Sequence, residues 1–89
     1  NLLSELDGWI IESVSGIDQL VKTYKFSNYG ESLDFSNKVA DLAESEDHHP
    51  RIVLEYGSVE VSWWSHKIKG LHKNDFICAA KTDAKLTVS

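Results

Sequence analysis

The sequence predicts an α+β fold: a four-stranded antiparallel sheet with helices packed on one face. Three observations predict it. Residues 20–26 alternate between apolar and polar in the manner of a strand. An amphipathic stripe with a capping residue at its head follows Asn28. Two glycine turns, Ser15-Gly16 and Gly57-Ser58, each lie between two strand-like runs.

The elements follow in order. Asn1 to Leu6 carries Leu2, Leu3 and Leu6 at helical spacing, which reads as the last turns of a helix whose start is missing. Asp7-Gly8 breaks it. Trp9-Ile10-Ile11 and then Leu20 to Phe26 read as strands, the second with Leu20, Tyr24 and Phe26 on one face. Asn28 can cap a helix, and Glu31 three residues later completes a box-like pattern. Phe35, Val39 and Leu42 fall on one stripe of that helix, which should run to Glu44 or Ser45. Pro50 holds the preceding residue in an extended conformation. Ile52–Tyr56 and Val59–Ser65 are the next two strands, joined by Gly57-Ser58. A last helix runs from Lys73 to Lys85, with Phe76, Ile77, Ala80 and Ala84 as its expected inner face. The order α-β-β-α-β-β-α, its first helix truncated, leaves no linker and one domain spanning residues 1–89.

Composition excludes several classes. With 42% hydrophobic and 26% charged residues the chain is not disordered. One cysteine rules out an internal disulfide framework and points to a reducing compartment, the cytoplasm. No apolar run approaches the ~20 residues that span a bilayer, and no signal-peptide pattern opens the chain. The absence of Met suggests that the native start is missing. A net charge of −5 disfavours direct nucleic-acid binding. That charge is uneven: residues 31–60 hold eight acids and two bases, whereas residues 61–89 hold five lysines and two acids. The halves read as two solvated faces of opposite sign, or as a basic rim that draws an anionic partner or product. A core this small also favours a homo-oligomer, which would cover sheet edges and helix faces.

Histidine is the informative residue. His48 and His49 are adjacent, before the only proline, where the central helix runs into a strand. His66 closes the second hairpin strand, and pairing of the two strands could bring it toward them. An imidazole gives or takes a proton near neutral pH, so three in one pocket make a general acid–base site. Zinc is the rival reading, but neighbours in an extended segment point opposite ways, so His48 and His49 are awkward co-ligands. Cys78 sits among apolar helix residues and reads as core. No metal site is expected. Trp63 and Trp64 are adjacent on a strand, so one must leave the core, as an oligomer contact or as an aromatic wall for a planar ligand. Glu44 lies near the negative end of the central helix, a locally unfavourable place for an acid.

These residues fall into a pattern. Glu44, three residues, His48-His49-Pro50, five residues, Tyr56, nine residues, His66, eight residues and Asp75 together resemble the signature of the pterin-4a-carbinolamine dehydratases. Asp7-Gly8-Trp9, Tyr24-Lys25-Phe26, Val39-Ala40-Asp41-Leu42-Ala43, Ser62-Trp63-Trp64-Ser65-His66 and Gly70-Leu71 resemble the family's surrounding elements. The resemblance covers Leu6 to Ala84. It implies the same α+β fold, dimers or tetramers, no cofactor, and dehydration of a 4a-hydroxytetrahydropterin to the quinonoid dihydropterin, as in tetrahydrobiopterin recycling. By the resemblance His49 matters most, with His48 and His66 sharing the acid and base roles. Glu44 and Asp47 are candidates to accept from the amino-pyrimidinone edge, and Trp64, Ser65, His66 and Lys67 join the histidine pair in holding the ring. Lys67 and His72 depart from the family pattern. Lys67 makes the rim more basic, and His72 stands where a hydroxyl usually caps the last helix, so that cap should weaken by ~1 kcal/mol. Asp75 reads as structural and His72 as solvated. The family also contains partner-binding cofactors of transcription factors. A non-enzymatic dimerisation module, which would add the nucleus as a location, is therefore the alternative. A pure scaffold has no need of His48, His49 and His66 together.

Overall fold

The computed structural model describes residues 3–87. Its order is β1 (Ile10–Val14), β2 (Ile17–Lys25), α1 (Tyr29–Glu46), β3 (Arg51–Glu55), β4 (Ser58–Trp63) and α2 (Lys73–Thr87), after a 3-10 turn at Leu3–Glu5. The four strands form one antiparallel sheet in the order β1-β2-β4-β3. Both helices pack on the same side, over a core built from Leu20, Tyr24, Phe35, Val39, Val61 and Trp63 among others. This is the α+β arrangement the sequence predicts.

Local chemistry explains most boundaries. Ser15 (φ 53°) and Gly16 (φ 80°) both take left-handed conformations. They form the two-residue loop whose twist suits a hairpin, pairing Val14 with Ile17. Asn28 caps α1 by accepting from the Glu31 N–H at 2.9 Å, and Glu31 reaches back to the Ser27 N–H at 2.9 Å, one residue before the usual partner. The helix runs to Glu46, slightly beyond the expected end.

Four expectations need correction. The N-terminal leucines do not end an α-helix: Leu3–Glu5 make a single 3-10 turn, and residues 1 and 2 lie outside the described residues. Leu3 and Leu6 still pack on the core, which accounts for their spacing. The second hairpin loop is Tyr56-Gly57, because Glu55 pairs with Ser58. Gly57 is needed there for close approach: a Cβ would sit 3.2 Å from the Phe26 carbonyl oxygen, while the Gly57 carbonyl accepts from the Phe26 N–H at 2.8 Å. β4 ends at Trp63, and Ser65 lies instead in an isolated bridge to Gly70.

The inner face of α2 is the largest correction. Asp75, Cys78, Ala79 and Thr82 are buried, whereas Ile77, Ala80 and Ala84 are exposed. The helix is rotated away from its apolar stripe because its polar side chains have partners inside. Trp63 Nε1 donates to Thr82 Oγ1 at 3.0 Å, and Thr82 Oγ1 donates to the Cys78 carbonyl at 2.7 Å. A hydrogen-bonded hydroxyl is cheap to bury, so helix periodicity alone points the wrong way.

Candidate functional site

The chain reversal after α1 positions the two adjacent histidines. Asp47 takes a left-handed conformation (φ 49°, ψ 43°), tolerable for Asp, and its N–H turns back to the carbonyls of Ala43 and Glu44. The His48 N–H reaches the Ala43 carbonyl at 3.1 Å, completing a Schellman-type end. Pro50 then keeps His49 out of the helix. The two imidazoles leave in different directions, as neighbours in extended chain should. His48 turns inward with its side chain 15% exposed, and His49 stays 56% exposed.

Each imidazole has a partner that fixes its tautomer. His48 Nε2 donates to Asp75 Oδ1 at 2.6 Å, and His49 Nε2 donates to Glu44 Oε2 at 2.6 Å. His66 Nε2 donates to the His49 carbonyl at 3.2 Å, which ties the third histidine to the pair. In the neutral form of each ring, Nδ1 is left with its lone pair. His48 also stacks on the buried Trp63 (centroids 5.4 Å apart, planes 18° apart), and His66 stacks on Trp64 (4.6 Å, 29°). Of the adjacent tryptophans, then, one is a core residue beneath His48 and the other lies half-exposed against His66.

Asp75 is the hub of this arrangement. It is fully buried. Besides His48, its Oδ2 accepts from Ser65 Oγ at 2.8 Å and from the His72 N–H at 2.9 Å. The last bond is half of a capping box, and His72 supplies the other half: its Nδ1 accepts from the Asn74 N–H at 3.3 Å. The imidazole thus stands in for the hydroxyl that the sequence lacks. Asp75 is structural, as read from the sequence, and in addition it orients His48. Its position in the spacing pattern was the available signal, but nothing in one sequence tells which histidine a distant carboxylate will meet.

A cavity of about 580 Å³ opens here. One wall is the end of α1, with Asp47, His48 and His49; the other is the turn after β4, with Ser65, His66 and Lys67. His72 and Asn74 at the head of α2 also line it, and neither was singled out as a site residue from the sequence. Glu44 and Trp64 are not part of the lining; they touch it through His49 and His66. Beneath the site, burial foremost, then the charges of Glu46 and Asp75, push the Cys78 thiol up to about 11, so it is no nucleophile near neutral pH. Among the described residues no three His, Cys, Asp or Glu side chains are grouped to hold a metal ion.

The family model for pterin 4 alpha carbinolamine dehydratase matches residues 1–85. The chain belongs to the pterin 4 alpha carbinolamine dehydratase family. A Vibrio cholerae protein named provisionally as such a dehydratase is 64% identical over 83 residues, covering 93% of this chain and 76% of its own. A Saccharophagus degradans protein with the same provisional name is 60% identical, covering 92% and 73%. Among solved structures, a transcriptional coactivator/pterin dehydratase from Brucella melitensis superposes with a TM-score of 0.82 at 31% identity, covering 94% of this chain and 87% of that one. A pterin dehydratase-like protein described as a RuBisCO assembly factor in the alpha-carboxysome shares the fold, with a TM-score of 0.75 at 22% identity, covering 92% and 93%.

Proposed function

We propose that the chain dehydrates 4a-hydroxytetrahydropterins to quinonoid dihydropterins by histidine acid–base catalysis. The observation that carries this reading is the convergence of His48, His49 and His66 on one cavity, each with its Nε2–H held by an oxygen acceptor. Loss of water breaks the C4a–O bond. One proton must reach the departing oxygen and one must leave N5, and imidazoles can do both. His49, paired with Glu44 and open to solvent, is the residue on which the rate depends most. His48, aligned by Asp75 and Trp63, and His66 share the remaining proton handling. Asp47, at the mouth, can accept from the amino-pyrimidinone edge, while Ser65 and Lys67 face it across the cavity. Tetrahydrobiopterin recycling in the cytoplasm is the role that fits; no helix among the described residues is long and apolar enough to cross a membrane.

The test is the dehydration rate, followed by absorbance, for wild type and His49→Ala. The variant should lose ~10²-fold or more. An unchanged rate in a folded variant would sink the assignment.

A second reading has its own support. Ile77 is 41% exposed on α2 beside exposed Ala80 and Ala84, and β1 is exposed along its whole length. Such faces suit a homo-oligomer or a protein partner, and the Brucella melitensis relative carries a coactivator title. We infer that the chain self-associates as a dimer or tetramer; a monomer in sedimentation at micromolar concentration would contradict this. A partner-binding role could coexist with the enzyme.

A further inference from the structure

Two chain segments of opposite charge meet at the cavity. The α1 side brings Asp47 and the histidine pair, with Glu44 and Glu46 just before them. The facing stretch, residues 61–74, contains no acid at all, although the chain as a whole carries −5. It holds Lys67, Lys69 and Lys73 with His66 and His72, and it supplies five of the cavity's lining residues: Ser65, His66, Lys67, His72 and Asn74. None of the three lysines makes an ion pair among the described residues, whereas Lys22, Arg51 and Lys81 each do. Lys67 and Lys69 lie on the four-residue turn closed by Ser65 and Gly70, where Lys69 holds a left-handed backbone (φ 52°) that costs a lysine energy. Lys67 lines the cavity itself, while Lys69 and Lys73 are sequence neighbours of its lining: Lys69 lies two residues on from Lys67, and Lys73 lies between His72 and Asn74.

The volume points the same way. About 580 Å³ lies within the range of sites that take whole drug-sized ligands, ~300–1,000 Å³, and exceeds what a bicyclic ring fills. A pterin has two distinct ends. Its amino-pyrimidinone edge donates hydrogen bonds and suits the Asp47 wall. Its side chain leaves from the far ring, toward the lysines.

We propose that the preferred substrate is a pterin whose side chain ends in an anion, a phosphate ester or a carboxylate, held at the wall formed by residues 65–74. The proposal rests on the dehydratase reading of the same cavity. Exposed lysines along this wall favour a charged tail on the order of tenfold over a neutral one, and salt screens the gain.

Binding measures it without requiring turnover. Three 7,8-dihydropterins are titrated against the whole chain at low and high salt: one with a neutral hydroxyalkyl tail, its phosphate monoester, and one with a carboxylate-terminated tail. Wild type should bind one or both anionic forms about tenfold tighter at low salt, with the gap narrowing as salt rises. The phosphate and carboxylate arms distinguish the two sources of charge. Lys69→Gly/Lys73→Gln, both at exposed positions, should lose the preference and keep the affinity for the neutral pterin. Equal binding of all three by wild type overturns the proposal and leaves the dehydratase intact. A preference that survives the double variant but is lost when Lys67→Gln is added places the anion at Lys67 and supports the proposal, whereas one that survives the folded triple variant overturns it. If no pterin binds, the dehydratase reading falls first and takes this one with it.

Discussion

Two aspartates of α2, eight residues apart, are each surrounded by donors, and the two clusters do different work. Asp83 accepts from Trp9 Nε1 (3.1 Å), Lys22 Nζ (2.9 Å) and Tyr24 OH (2.6 Å). Lys22 also donates to the Asp7 carbonyl at 2.8 Å, so this cluster clamps the start of the chain and β2 to α2. Asp75 accepts from His48, Ser65 and the His72 backbone. The charge count differs. Asp83 is balanced by the ammonium of Lys22 in an ion pair. Asp75 is balanced by nothing permanent; its partners are an imidazole, a hydroxyl and an amide. A carboxylate with a fixed counter-charge is a staple. One whose partner is an imidazole at a cavity can position a group that moves protons.

Asparagine substitution breaks the comparison most sharply. Asp75→Asn leaves His48 Nε2, Ser65 Oγ and the His72 N–H to compete for one carbonyl oxygen, with an N–H₂ pointing at the other donors. The loss should be ~3–5 kcal/mol of stability, typical of breaking a buried charged contact, and the dehydration rate should fall ~10²-fold. Asp83→Asn should cost ~1.5–3 kcal/mol, the worth of hydrogen bonds to a charged group, and leave the dehydration rate unchanged. Denaturant unfolding and the absorbance assay read both. Equal effects on rate would erase the distinction.

A titration to alkaline pH sharpens it next. Each cluster borders a group whose neutral form the fold favours. Burial first, then Glu46 and Asp75, raise Cys78 from 9.0 to about 11. Burial first, then the hydrogen bond and charge of Asp83, raise Tyr24 far above its usual 10.0. A raised folded pKa gives stability that is complete below the unfolded value and is lost as pH climbs, because the unfolded chain ionises first. Stability should therefore decline from about pH 9 through Cys78, by on the order of 2 kcal/mol at pH 11, and more steeply beyond pH 10 through Tyr24. Cys78→Ala should flatten the first part. Asp83→Asn should soften the second only in part, since burial is the larger cause. A flat profile between pH 8 and 11 would contradict the burial of both groups.

The same comparison explains what the sequence could tell. Strand alternation, the Asn28 cap and the Ser15-Gly16 turn are local matters, settled by neighbours within a few residues, and the structure agrees with them. The face of α2 is not local. The sequence reads Asp75 only as structural and singles out neither Thr82 nor Asp83, because their partners, His48, Trp63, Trp9, Lys22 and Tyr24, lie 19 to 74 residues away. Without those partners the apolar stripe of Phe76, Ile77, Ala80 and Ala84 was the better bet. The site behaves alike: His48, His49 and His66 stand out by residue type and placement and Ser65 and Lys67 only through the family resemblance, whereas His72 and Asn74 enter only because α2 starts beside the bridge of Ser65 to Gly70.

The smallest test takes the premise down to one hydroxyl: a buried polar group is worth what its partners make of it. Ser32 and Ser36 stand one turn apart on α1, and both are buried. Ser32 Oγ shares its proton between the Asn28 carbonyl at 3.2 Å and the Tyr56 carbonyl at 3.1 Å, joining the helix start to the second hairpin. Ser36 Oγ has no hydrogen-bond partner among the described residues. The same substitution should therefore have opposite signs. Ser32→Ala should destabilise by ~1 kcal/mol, since it removes the hydrogen bonds of a buried hydroxyl to two backbone carbonyls. Ser36→Ala should stabilise by up to ~1 kcal/mol, because it removes a hydroxyl that was desolvated without compensation. Denaturant midpoints at constant slope give both values. Two losses of equal size would contradict the unpaired state of Ser36 Oγ and with it the opposite signs expected of the two serines.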